Sequence, residues 1–173
     1  DEAVALLCEM LAFSDPLVPY AGIAPVRAAC TPDSLDAFAS ALFEAWIAAG
    51  APAAGEWAMR ASALLGGDAC ARTLTRQIRA WGQAGLKPRA KAGIAVLAGI
   101  GTDVALMNLA AIAEKNPALQ LREAAGAAIA DAAEARGLDE ADLADRLSPD
   151  LGLDARCGLD LDFGARRFRV GFD

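Results

Sequence analysis

The segment Asp33–Gly50, DSLDAFASALFEAWIAAG, decides the fold, because Asp68–Gly85, DACARTLTRQIRAWGQAG, repeats its layout 35 residues later. Each segment begins with Asp, has a Trp at the same position (Trp46 and Trp81), and ends with Ala-Gly. A third helical pattern begins at Asp103, again 35 residues further on. A period of this length is typical of stacked helix pairs, since one pair cannot bury its apolar face alone. The sequence therefore predicts an all-α fold, a HEAT-like α-α superhelix (solenoid) of about three helix pairs.

The predicted helical repeat domain covers residues 1–147, with repeats near 33–66, 68–101 and 102–137. The 44 alanines favour helices whose backbones approach closely, because Ala is the strongest helix former and has a small side chain. Before the repeats, residues 2–13 are predicted to be a helix. Residues 17–30 are predicted to form a loop or short turns, since Pro and Gly interrupt them.

The period of the apolar residues changes from 3.6 to 2 near the end of the chain, which is typical of β-strands. A two-residue turn at 165–166 would pair Phe163 with Phe168 and Leu161 with Val170. Residues 148–173 are therefore predicted to be a linker and a short C-terminal β-hairpin that lead into a following domain.

Several classes of chemistry have little support in the composition. The chain has no His, which removes the commonest general base, and its four Cys residues are far apart without a CxxC motif. No apolar run approaches the length of a membrane span. We therefore predict a cytoplasmic protein that is not an enzyme, with no cofactor, no metal site and no membrane partner.

Charge is distributed unevenly along the chain, whose net charge is −7. Residues 1–59 hold eight acids and one base, residues 60–102 hold seven bases and one acid, and residues 103–173 hold fourteen acids and eight bases. Helical spacing places the arginines of the middle segment opposite its apolar stripe. Cations at the start of the next helix oppose the helix dipole, an arrangement that suits a bound anion. The candidate residues for binding an anion or a partner are Arg72, Arg76, Arg79, Lys87, Arg89 and Lys91.

Three interpretations of this basic set remain open. The cations can form a solvated face that is paired with acids of neighbouring repeats, they can bind an acidic protein surface, or they can bind nucleic acid or another polyphosphate. The overall acidity argues against broad affinity for DNA, although a local patch can still contact phosphates.

The last part of the chain resembles a known family. The stretches AAEARGL (132–138), LADRLSPDLGLD (143–154) and LDFGARRFRVGFD (161–173), preceded by ALMNL (105–109) and IAEK (112–115), carry the resemblance. They are similar to a segment of the large bacterial proteins named after the molybdate metabolism regulator. In that family the segment lies between a HEAT-like helical region and a C-terminal domain of unknown function. The resemblance implies a cytosolic, multidomain and regulatory bacterial protein, and it implies no catalytic residues here.

The sequence thus predicts a non-enzymatic helical-repeat scaffold for protein–protein interaction within a larger bacterial cytosolic protein. One alternative is contact with nucleic acid or polyphosphate through the basic face around residues 72–91. A second is that the chain is the scaffold part of an enzyme whose chemistry lies C-terminal to it. The oligomeric state is left open.

Overall fold

In a computed structural model, the chain is helical through most of the residues that the structure describes, which are 2–137, 139, 142–143, 158–162 and 167–171. The prediction of a mostly helical chain is confirmed. The helices are α1 (Glu2–Ala12), α2 (Ile23–Ala29), α3 (Pro32–Ala48), α4 (Trp57–Leu65), α5 (Asp68–Gln83), α6 (Lys87–Ile100), α7 (Asp103–Lys115) and α8 (Leu119–Glu134), with a 3₁₀ turn at Ala53–Gly55. Two strands follow, β1 (Gly158–Asp162) and β2 (Arg167–Gly171).

Consecutive helices pack as pairs, α3 on α4, α5 on α6, and α7 on α8. Neighbouring pairs contact each other in two layers. The first layer contains α3, α5 and α7, and the second layer contains α1, α4, α6 and α8 in that order. Each pair therefore contacts the next through both of its helices.

The ends of α3 and α5 have the same backbone structure, 35 residues apart. Gly50 (φ +87°) and Gly85 (φ +76°) adopt the left-handed conformation that favours glycine. The amide that follows each glycine donates to the carbonyl of a tryptophan, Ala51 to Trp46 at 2.9 Å and Leu86 to Trp81 at 2.8 Å. This pattern is the Schellman motif, which satisfies carbonyls at the end of a helix. The repeat seen in the sequence is thus also a repeat of local structure.

The start of α5 is held by the preceding pair. Asp36, on α3, accepts hydrogen bonds from the amides of Gly67 (2.8 Å), Ala69 (2.9 Å) and Cys70 (3.0 Å). The first amides of a helix have no partner within the helix, and a carboxylate there also interacts favourably with the helix dipole. One side chain of α3 therefore fixes where α5 begins.

One continuous cluster of buried side chains runs through all three pairs. Trp46 and Trp81 meet edge to face with their ring centroids 6.2 Å apart, and Phe43 packs against both rings. The cluster continues to Ile112 of α7 and Leu121 of α8. A second cluster around Leu11, Ile23 and Leu64 packs the N-terminal helices against α3 and α4. Cross-pair aromatic contacts thus join the first two pairs into one core.

Two details differ from the sequence-based expectation. Residues 17–30 include the short helix α2, because Pro25 lies in its first turn, where a missing amide N–H is tolerated. The hairpin pairs Leu161 with Phe168 and Leu159 with Val170, so the predicted register is wrong by two residues. The predicted turn at 165–166 lies outside the described residues. A shift of two keeps each residue on its predicted face of the sheet.

Candidate functional site

The arginines of α5 lie on its exposed side. Arg72, Arg76 and Arg79 are exposed, whereas Leu74 and Ile78 are fully buried in the core. The hydrophobic side of α5 packs on α6 and on its neighbours in the first layer, which leaves the guanidinium groups on the outer surface. We call Arg72, Arg76 and Arg79 the arginine row.

The arginine row has no carboxylate partner among the residues that the structure describes. The Arg76 guanidinium donates to the Thr73 hydroxyl at 3.0 Å, one turn earlier on the same helix. No ion pair links Arg72 or Arg79 to a described acid of a neighbouring pair. In this part of the chain the arginines are thus not held in a charge ladder between pairs.

A cavity of about 340 Å³ lies at the end of the arginine row, between the C-terminal ends of α5 and α7. Arg79 and Lys115 line it with Gln83, and the buried Ile112 supplies an apolar wall. Lys115 was missed from the sequence because it belongs to an acidic segment. The 35-residue period gave no signal for it either, because that period aligns Arg79 with Glu114 and not with Lys115. Its charge also suits the last turn of α7, where the helix dipole is negative.

Arg89 has a structural position and is not free on the surface. Its guanidinium lies 5.5 Å from the ring centroid of Trp46 and 5.9 Å from that of Trp81. One guanidinium nitrogen donates to the carbonyl of Ala51 at 2.9 Å. Arg89 therefore connects α6 to Trp46 and the carbonyl of Ala51 at the end of α3, and to Trp81 near the end of α5.

The two lysines at the start of α6 belong to the other layer. Lys87 and Lys91 are exposed, and Lys91 shares one helical stripe with the exposed Ala95 and Gly99. Since α6 belongs to the second layer, these lysines do not extend the arginine row. The six predicted residues are therefore divided into an arginine row, a structural Arg89 and two lysines of the second layer.

The thiols of the described residues are free and differ in their burial. Burial raises the pKa of the Cys70 thiol above its ordinary 9.0, although the hydroxyls of Ser62 and Ser40 lower it in part. Cys8 is half-buried and Cys30 is exposed, both as free thiols, and position 157 lies outside the described residues. No group of three or more described Cys, Asp or Glu residues is arranged to hold a metal ion. Among the described helices, none combines the length and apolar character that a membrane crossing requires.

Comparison with known proteins adds one relative. A protein of Escherichia coli (strain K12) named "Uncharacterized protein YehI" is 42% identical to this chain over 173 residues. The match covers the whole of this chain, which spans 14% of the length of that relative. No family model and no solved structure matches the chain.

Proposed function

We propose that the chain is a HEAT-like solenoid that acts as a non-enzymatic scaffold for protein–protein interaction, and that its first layer binds an acidic segment of a partner. The contacts of successive pairs through two layers support the solenoid, since that is how helical-repeat proteins stack. The matching ends of α3 and α5 support it further.

The arginine row has no carboxylate partner among the described residues and lies beside a cavity lined by two cations. The choice of partner rests on this arrangement. An acidic side chain that enters between Arg79 and Lys115 would meet both charges and the apolar wall of Ile112. Exposed ion pairs contribute about 0.2–1 kcal/mol each, so four of them supply roughly 1–4 kcal/mol. The remaining affinity has to come from apolar contact in the cavity, which favours a protein segment over a simple anion.

Nucleic acid or another polyphosphate is the second candidate. Guanidinium groups without carboxylate partners can form paired hydrogen bonds to phosphate oxygens. The net charge of −7 weighs against this candidate, because it repels a polyanion at longer range.

We also propose what kind of larger protein contains this scaffold. The resemblance of residues 102–173 to the molybdate metabolism regulator family suggests a regulatory, cytoplasmic protein with a further domain. In that setting the helical pairs would position the domain that follows. If the whole protein is an enzyme, its chemistry would belong to that domain and not to the helices.

Fluorescence anisotropy can separate these candidates, with a labelled peptide that alternates Glu with Leu and a labelled single-stranded DNA as probes. Each would be titrated with the chain at about 50 and about 200 mM salt. We expect the double variant Arg79→Glu and Lys115→Glu to weaken peptide binding about tenfold or more, equivalent to about 1.4 kcal/mol. The matched control, Lys87→Glu with Lys91→Glu in the second layer, changes the net charge by the same amount and should leave the affinity unchanged.

Three outcomes would revise the proposal. Tighter binding of DNA than of the peptide, with a steep loss at the higher salt, would favour the second candidate. Binding of neither probe would contradict both candidates. Equal effects of the two double variants would show that general charge, and not the arginine row, determines binding.

A further inference from the structure

A groove of about 570 Å³ crosses the second layer, on a different set of helices from the arginine row. Its floor consists mainly of alanines and other small or apolar side chains from α4, α6 and α8. Met59 of α4 and Val96 of α6 are buried in the floor, and the exposed Ala95 faces the opening. Small side chains on three adjacent helices leave room between them for a side chain from another molecule.

The polar residues of the groove give it an excess of negative charge. Asp15, Glu56 and Asp131 line it together with a single cation, Arg60. Within the described part of the chain, no ion pair joins Arg60 to any of these three carboxylates. A ligand with positive charge beside an apolar group would therefore match the groove in both charge and polarity.

The loop after α1 continues the groove as an apolar edge. Leu17 lines the groove and is 91% exposed, and the next residue, Val18, is 76% exposed. Adjacent exposed apolar side chains of this size are typical of surfaces that are covered by a partner. A ligand seated in the groove would cover Leu17 and place its own apolar side chain on the alanine floor.

We propose that this groove is a second binding site, which takes a segment of a separate partner protein with an apolar side chain next to Lys or Arg. The acidic rim would repel nucleic acid and anionic lipid headgroups, so a basic and apolar polypeptide is the ligand that fits. The site is independent of the arginine row, which attracts the opposite charge. With both sites the chain would bridge one acidic and one basic partner.

The test is selection from a phage library of random peptides on the 173-residue chain, with counter-selection on an Ala95→Trp variant. Ala95 is exposed, so a Trp there fills the groove without disturbing the core. We expect the selected peptides to combine apolar residues with Lys or Arg. Their synthetic versions should bind the chain at least tenfold more tightly than the Ala95→Trp variant.

Two further variants separate the groove from general surface effects. Asp131→Lys should weaken the same peptides, whereas Ala130→Trp and Glu123→Lys, at exposed positions of α8 outside the groove, should not. The proposal is overturned if no selected peptide distinguishes Ala95→Trp from the unchanged chain. It is equally overturned if the peptides that do so are acidic or lack basic residues.

Discussion

Replacement of Arg89 with Ala is the prediction that tests the structure most sharply, because the sequence suggested a different role for this residue. The structure places its guanidinium against the rings of Trp46 and Trp81, with a hydrogen bond to the carbonyl of Ala51. We therefore expect Arg89→Ala to lower the free energy of unfolding. If Arg89 were a free surface cation, the same replacement would leave the free energy of unfolding unchanged.

The magnitude follows from the contacts that are lost. A cation over an aromatic ring contributes about 0.5–1 kcal/mol at an exposed site, and Arg89 is half-buried over two rings. A hydrogen bond from a charged donor contributes about 1.5 kcal/mol or more. Since these terms overlap, we expect a loss of about 2–3 kcal/mol, which lowers the Tm by roughly 5–10 °C in a chain of this size.

Urea unfolding, followed by tryptophan fluorescence, measures this loss directly. Arg89→Lys should recover only part of the stability, because the ammonium group lacks the planar face that stacks on the rings. Lys91→Ala, two residues further along α6 and exposed, is the matched control and should change stability by less than about 0.5 kcal/mol. Equal stability of Arg89→Ala and the unchanged chain would refute the structural role.

Further predictions concern the helix cap at Asp36, the cysteines and two glycines. Asp36→Ala should cost about 2 kcal/mol in urea unfolding, because three amides at the start of α5 lose their acceptor. Cys30 should react with a thiol reagent at mildly alkaline pH before Cys70, because the Cys70 thiol is buried and its raised pKa keeps it protonated. The folded chain therefore keeps the proton of Cys70 to a higher pH than the unfolded chain does. The free energy of unfolding should accordingly fall as the pH rises past about 9. Gly126→Ala should raise the Tm through helix propensity, whereas Gly93→Ala should lower it, because its new Cβ would lie 2.8 Å from Ile78.

Each of these has a result that would contradict it. Glu44→Gln, an exposed change on the same helix as Asp36, should have little effect, and an equal loss there would refute the capping role. Labelling of Cys70 in the folded chain as fast as that of Cys30 would show that it is accessible. A higher Tm for Gly93→Ala would mean that α5 and α6 are not in close contact.

Much of the helical architecture could be predicted from the sequence, because it depends on local patterns that recur. The 35-residue period located the three helix pairs, and Ala49-Gly50 and Ala84-Gly85 marked the ends of α3 and α5. The cap that Asp36 provides could not be predicted. It joins residues 31 to 34 positions apart, and only the stacking of the pairs brings them together.

The candidate site was predicted less well, because a run of charges does not reveal the layer on which each charge lies. Arg89 is two positions from both Lys87 and Lys91, which on a helix is about 200° around the axis, so it faces the opposite side. The two-residue spacing in the sequence therefore already indicated that Arg89 and the two lysines lie on different sides of α6. The groove of the second layer had no comparable signal, since its alanines resemble any other alanines of the chain.

The affinity of the peptide that alternates Glu with Leu for a variant with Arg76→Glu and Arg79→Glu tests the central functional claim most directly. We expect the double reversal to weaken binding at least tenfold, while the unfolding temperature stays within about 3 °C because both side chains are exposed. Unchanged affinity in a folded variant would contradict the claim that the arginine row binds an acidic partner.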